Sequence, residues 1–266
     1  MTFPWGEEWI LQMKLQSQIA PGTIRKKKAT LSRALSWPVE YHPTAPISNA
    51  LARLPRGYPA YNDRVRAELE ALGIDVPDDI ERDRRIDVEE ERRIVAEFDR
   101  RASEAADVAE RAEWEGMSLM FQLALATCMR MREIYTLTKD QIDLSTNTIR
   151  LARTKTGDSR AVPIGPRAKP LLTRSWPALE AVRVEGRLVP FWNGSLDKER
   201  LKAISSALSR RFRAVFRAAG SEDLHFHDTR HEGLCRWALN TPQPLTSEFL
   251  AKAAGMKDAR VPGRGT

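Results

Sequence analysis

The sequence predicts a mainly α-helical protein with one small antiparallel β-sheet, divided into two domains. Three observations lead there. Over most of the chain apolar residues recur at three- and four-residue intervals, the pattern of helices with one buried face. Over 141–164 the period shortens to two and turn residues intervene, the pattern of strands. Between Asp75 and Asp87 apolar residues thin out, and Asp78, Asp79, Glu81, Arg82, Asp83, Arg84 and Arg85 follow almost without a break, as expected of a linker. The expected organisation is an N-terminal helical domain over 1–74, a linker over 75–86 and a second domain over 87–266.

Trp5, Trp9, Ile10 and Met13 place a first helix over 5–15. Pro21-Gly22-Thr23 interrupts it, and Thr23 can cap a second helix that buries Ile24, Leu31 and Leu35. Arg25, Lys26, Lys27, Lys28 and Arg33 on this helix form a basic run without an acid. Such a run is either a solvated face or a phosphate contact, and a second cationic helix later in the chain favours the latter. Pro38, Pro43, Pro46, Pro55 and Pro59 then imply short helical pieces and turns, with the stretch 54–58 as an exit from the first domain.

Asp87 can cap a helix with an acidic first turn (Glu89, Glu90, Glu91) and apolar positions at Val88, Ile94, Val95 and Phe98. Over 116–129, Met117, Met120, Phe121, Ala124, Leu125 and Cys128 give the most core-like helix. In the strand region Ile142 and Leu144 precede a Ser145-Thr146-Asn147 turn. One strand follows over 148–152, Lys155-Thr156-Gly157-Asp158 turns, and 160–164 returns. Pro166 begins another helical stretch, and 187–192 is a short strand or an extended loop. Over 201–219, Ile204, Leu208, Phe212, Val215 and Phe216 point inward and Gly220 follows the end. Arg200, Lys202, Arg210, Arg211, Arg213 and Arg217 make this the second cationic helix. A helix through Trp237, a loop with Pro242 and Pro244, and a last helix over 247–254 complete the chain.

With 43 Lys+Arg against 36 Asp+Glu in 266 residues, the net charge of +7 favours a polyanionic partner. Two cysteines, Cys128 and Cys235, make no disulfide framework and suit a reducing cytoplasm. No apolar run reaches the roughly 20 residues that span a bilayer, and residues 1–8 carry two acids and no base, unlike a secretory signal. The expectation is a soluble, cytoplasmic, nucleoid-associated protein with no membrane contact.

Chemistry concentrates in His227-Asp228-Thr229-Arg230-His231. If Asp228 caps a helix, His227 stands just outside the first turn and Arg230 inside it, both able to face one bound anion. His225, His227 and His231 could also ligate a metal, but no second Cys or His cluster closes such a site, so no metal and no cofactor are expected. Upstream, Arg130 follows the buried helix with Glu133 three residues on, and Lys155 stands at the tip of the small hairpin.

Taken in order, these residues resemble the tyrosine recombinase (phage integrase) family. The stretch Leu125-Ala126-Thr127-Cys128-Met129-Arg130-Met131-Arg132-Glu133-Ile134 looks like that family's helix end with its first catalytic Arg and supporting acid. Thr154-Lys155-Thr156-Gly157 followed by Arg160-Ala161-Val162-Pro163 is similar to the hairpin that presents its catalytic Lys. His227-Asp228-Thr229-Arg230-His231 is similar to its His-x-x-Arg-His box. The likeness covers 82–260 well and 1–60, as a core-binding domain, more loosely. It implies a DNA breaking-rejoining fold, two domains clamped around double-stranded DNA, and other recombinase protomers as partners. By this resemblance Arg130, Lys155, His227 and Arg230 are catalytic, and Glu133, His231 and Met256 occupy supporting positions. Arg25, Lys26, Lys27, Lys28, Arg210, Arg211 and Arg213 are the expected DNA contacts.

Metal-free DNA cleavage needs a nucleophile, cations on the non-bridging oxygens, and an acid for the departing sugar oxygen. Arg130 and Arg230 suit the second task, because a guanidinium fork matches phosphate oxygens in pairs. The resemblance assigns the third task to Lys155. Two departures stand out. Met256 falls where the family carries a phosphate-contacting His, and a thioether donates no hydrogen bond. The nucleophilic Tyr is expected over 261–266, which reads Val-Pro-Gly-Arg-Gly-Thr, while the four tyrosines are Tyr41, Tyr58, Tyr61 and Tyr135. Tyr135 reads as core. As given, the chain is expected to grip a scissile phosphate without cleaving it: a C-terminally truncated recombinase, a subunit that receives Tyr from another protomer, or a non-catalytic DNA-binding regulator on the same fold.

Overall fold

The computed structural model of the chain describes residues 3–15, 19–41, 48–55, 57–74, 84–151, 159–180, 186–240, 246 and 255. It divides into two compact units, Met1–Arg82 and Asp83–Thr266. The hairpin tip with Lys155, Met256, the expected last helix over 247–254 and the tail over 261–266 lie outside the described residues.

The first unit holds α1 (Phe3–Leu15), α2 (Pro21–Tyr41), a 3-10 turn (Ala50–Arg53) and α3 (Asp63–Ala71). Ile10, Met13, Ile24, Leu51, Leu54, Tyr61 and Leu69 form its core. Because Tyr61 and Leu69 lie in that core, the chain does not leave the first unit at Leu54 and Pro55 or at Gly57 and Tyr58, where the sequence predicts an exit. Thr23 does not cap α2: Thr23 and Ile24 donate their N–H groups to Ala20 O at 2.8 and 3.1 Å, so the helix starts at Pro21. Proline suits a first helical position, where its fixed φ fits and its absent N–H would have no partner anyway. Nor does Pro38 end the helix, which runs on to Tyr41. Lys14 is buried, with Nζ donating to Tyr58 O (2.8 Å) and Ala60 O (2.6 Å) and lying over the rings of Tyr58 and Tyr61.

The second unit is built around α5 (Val108–Thr127), which packs against α4 (Val88–Ser103), α7 (Ala168–Glu180) and α9 (Phe226–Asn240). Asp87 caps α4 by accepting the Glu90 N–H at 2.7 Å, a contact typically worth about 1 kcal/mol. Ile94 and Phe98 face inward from α4, but Val88 is 70% exposed, because the first helical turn lies at the rim of the unit. The cationic α8 (Lys198–Ala218) buries Leu201, Leu208, Phe212, Val215 and Phe216. Phe98, Phe121, Phe212, Phe216 and Phe226 interlock, with ring centroids 4.4 to 6.1 Å apart.

The sheet comprises β1 (Ile142–Asp143), β2 (Thr148–Leu151) and β3 (Arg160–Pro163), antiparallel in that order, with Ile149 opposite both Ile142 and Val162. Over 187–192 the chain makes one antiparallel bridge, Arg187 to Thr138, and then bends and turns, so neither a strand nor an extended loop forms there. The end of the expected linker belongs to this unit. Ile86 is buried and donates its N–H to Glu232 Oε2 at 3.2 Å, Arg85 pairs with Glu232, and Arg84 pairs with Glu90 and Asp223. Buried Glu232 and Glu90 need such partners, and residues 84–86 supply them.

Candidate functional site

The site starts where α5 stops. Cys128 adopts a left-handed conformation (φ 55°, ψ 21°), which costs a non-glycine residue roughly 1 kcal/mol. It turns the chain sharply into Arg130, whose extended backbone precedes α6 (Met131–Tyr135). Glu133, in the first turn of α6, takes the Arg130 N–H on Oε2 (2.8 Å) and Arg130 Nη1 on Oε1 (2.9 Å). Arg130 Nη2 donates to Gly255 O at 2.7 Å. Arg230 comes from α9, is 5% exposed, and donates from Nη1 to Cys128 O. The strained turn that launches Arg130 therefore also seats Arg230.

Arg160 completes the group. From β3 it donates Nη1 to Glu133 Oε1 (2.9 Å) and Nη2 to Glu133 Oε2 (2.8 Å), a fork on fork. This residue was absent from the site expected from the sequence. Its signal is the strand period: Arg160 shares the inward register of buried Val162, and an arginine pointing inward requires a buried anion.

Asp228 does not stand at the N-cap of α9. The helix begins at Phe226, and Asp228 sits within its first turn, accepting the His225 N–H at 2.8 Å. His225 is thus the residue before the helix, and both His227 and Arg230 belong to its first turns. His227 and Arg230 still line one open basin with Arg130, Glu133 and Arg160, of about 2020 Å³. Arg132, Arg150, Lys198, Lys202 and Arg213 add to its rim against the acids Glu133, Asp140 and Glu199. His231 lies off the basin, half-buried, with Nδ1 4.0 Å from Cys235 Sγ. Among the described residues no cluster of His, Cys, Asp and Glu could hold a metal ion.

Crowding of like charge marks the basin. Burial, together with the nearby Arg130 and Arg160, pushes the Arg230 guanidinium down to about 10. His227 keeps solvent contact but is hemmed by protein atoms. Desolvation and the charges of Arg230 and Arg130 hold it below the usual histidine value. Glu133 sits below the usual carboxylate range: burial opposes ionisation, but hydrogen bonds from Arg160 and Arg130 outweigh it. Burial pushes the Cys128 thiol up to about 12, so it stays protonated and unreactive.

The expected DNA contacts divide. Arg213 lines the basin and Arg210 is exposed. Arg211 is committed elsewhere: Nη1 donates to Glu113 Oε2 at 2.6 Å and the guanidinium stacks 4.5 Å from the Trp114 ring centroid, because the period of α8 turns position 211 toward α5. In the first unit Arg25, Lys26 and Lys27 are exposed on α2, whereas Lys28 turns inward and donates to Leu54 O at 3.1 Å. Tyr135, as expected, is core: it is fully buried and its hydroxyl donates to Leu201 O at 2.9 Å.

The sequence profile described as the phage integrase family matches residues 84–241, more than half of the chain. The shufflon-specific DNA recombinase of Escherichia coli is 33% identical over 119 residues, 45% of this chain and 27% of that protein. The chain thus spans well under half the length of this curated relative. Among solved structures, the XerH site-specific recombinase bound to a palindromic difH substrate aligns with a TM-score of 0.63 at 16% identity. That alignment covers 97% of this chain and 67% of XerH. The Tn1549 transposon integrase in complex with circular intermediate DNA aligns with a TM-score of 0.58 at 16% identity, over 97% of this chain and 78% of that one. These two likenesses concern the fold. The extent of the profile match, together with this fold, makes the chain a member of the phage integrase family of tyrosine recombinases.

Proposed function

We propose that the chain binds double-stranded DNA, alongside other recombinase protomers, and grips one backbone phosphodiester in the basin of the second unit. The convergence of Arg130, Arg230 and His227 on that basin carries this reading. A phosphodiester would accept paired hydrogen bonds from the two guanidiniums and offset both the burial and the repulsion that depress Arg230. Glu133 orients Arg130 and does not contact the anion. Lys155 is the proposed proton donor to the departing 5′-oxygen. The DNA complexes of the Tn1549 integrase and XerH support the substrate class.

The test is duplex affinity against salt. Each phosphate contact releases counterions, so affinity should fall steeply as salt rises, and Arg213→Ala should reduce the log–log slope by about one. Arg211→Ala should leave the slope unchanged, since that side chain is held by Glu113 and Trp114. A flat salt dependence would remove the proposal. We also propose that this chain does not cleave by itself, since Tyr135 is locked against α8. A nicked suicide duplex should yield no covalent adduct, and an adduct mapped to any of its tyrosines would refute that part alone.

Affinity should also depend on pH through His227. Its pKa is lowered in the free protein, and a bound phosphate favours the charged ring, so binding takes up a proton. Affinity should therefore rise as pH falls from the value the ring takes in the complex toward its depressed value in the free protein, and level off below that, by up to about tenfold for each pKa unit regained on binding. His227→Gln should abolish this acid-side rise. His225→Gln serves as the control because His225 also lines the basin. An unchanged rise in the His227 variant would assign it elsewhere.

A further inference from the structure

We infer that Arg160 is a positioning residue that aims the phosphate-gripping Arg130 by fixing the plane of Glu133, an assignment that rests on the phosphate reading above. The argument is one of hydrogen-bond capacity. An ionised carboxylate offers about four acceptor sites. On Glu133 the Arg130 N–H and Nη1 occupy two, and Nη1 and Nη2 of Arg160 occupy two more, one on each oxygen. The Arg130 contacts put one donor on each oxygen, and the terminal torsion they restrain is intrinsically broad. The second fork adds a planar donor pair across both oxygens and narrows that torsion further.

The two arginines are not equivalent in exposure. The Arg160 side chain is 6% exposed and that of Arg130 is 36% exposed. The buried guanidinium is spent on the carboxylate, and the open one faces the basin. Gly255 closes the arrangement from the other side. Its carbonyl takes Arg130 Nη2, and a Cβ there would lie 2.5 Å from Arg160 Nη1 and 3.2 Å from Arg130 Nη1, so Gly255 lies directly against both guanidiniums. Arg160 also stands at the start of β3, five residues after Lys155. The strand leaving the hairpin is thereby pinned to the α5–α6 junction that carries Arg130.

Lysine cannot reproduce this contact, because an ammonium is a point charge without a fork. The experiment is a double-mutant cycle on the full chain, reading affinity for a short duplex at fixed salt together with melting temperature. Arg160→Lys preserves charge and should weaken binding by about tenfold, a loss typical of misaimed rather than missing groups. In a Glu133→Gln background Arg160→Lys should have no further effect, since the residue acts through Glu133. If the effects add, Arg160 contacts DNA directly and the positioning role is wrong. If Arg160→Lys lowers only the melting temperature, the role is structural and the inference is equally overturned. Should Arg160→Lys not fold, Arg160→Gln carries the same cycle. Arg130→Ala and Arg230→Ala separate the two levels. If neither weakens binding, the phosphate reading fails and takes this one with it; if both weaken it while Arg160 variants do not, only the positioning role fails.

Discussion

Replacing Arg230 with alanine is expected to weaken duplex binding by roughly tenfold to a hundredfold, the loss of one or two charge-assisted hydrogen bonds. The size of the effect follows from how the free protein holds this side chain. It is anchored on the Cys128 carbonyl, and its burial, at 5% exposure, together with the charges of Arg130 and Arg160 lowers its pKa to about 10. At neutral pH it is still charged, so the protein keeps a repelled cation in a nearly dry position. An arriving phosphate turns that repulsion into attraction, and the alanine variant forfeits the gain. Stability should respond less, because two opposing changes accompany the substitution. Repulsion among the arginines is relieved, while the buried Cys128 carbonyl loses a donor, at a cost of about 1–3 kcal/mol. Arg230→Lys should not rescue binding, since a lysine ammonium cannot span two phosphate oxygens. Affinity from fluorescence anisotropy, paired with thermal melts, measures both quantities. The loss should be larger on the duplex the chain binds most tightly than on unrelated duplex; an equal loss on both would reduce Arg230 to a general backbone contact.

Much of this site was legible in the residues themselves, and the reason is local. Arg130 and Glu133 are one helical turn apart, and His227 and Arg230 share the first turns of α9, so spacing alone brings each pair together. The helices of the second unit were legible for a similar reason: Asp87 announces α4, and the apolar period of α5 and α8 declares their buried faces. What the sequence concealed are partner choices made across the fold. Arg160 meets Glu133 only because β3 is laid against the α5–α6 junction, and Arg211 meets Glu113 and Trp114 only because α8 crosses α5. A basic residue looks the same in a sequence whether it ends on a phosphate or on a carboxylate 98 positions away. Lys28 shows this most plainly: its neighbours Lys26 and Lys27 are exposed, while its own ammonium points inward to Leu54 O.

Gly233→Ala should test how tightly α9 must lie on α5 for the site to exist. In an ordinary helix interior this change is favourable by roughly 0.5–1 kcal/mol, because alanine loses less backbone entropy on folding. Here the sign should reverse. A Cβ at position 233 would fall 2.7 Å from Leu125 O, 3.1 Å from Ala124 O and 3.0 Å from Cys128 Sγ. Two of these are backbone atoms of the last turn of α5, which cannot move without carrying Cys128 with them. Overpacking of this kind typically costs about 1–3 kcal/mol, equivalent to a melting temperature lower by roughly 2–10 °C for a unit of this size. Affinity for duplex should fall with it, because the displaced Cys128 carbonyl is the seat of Arg230 and the displaced turn is the one that launches Arg130. Gly165→Ala is the control, since nothing lies within 4 Å of a Cβ there; it should leave both melting and binding unchanged. A Gly233→Ala protein that melts at or above the parent temperature with full affinity would mean that α9 can lift from α5 without disturbing the arginines. The two helices would then not be the rigid frame that holds Arg130 and Arg230 on the same basin.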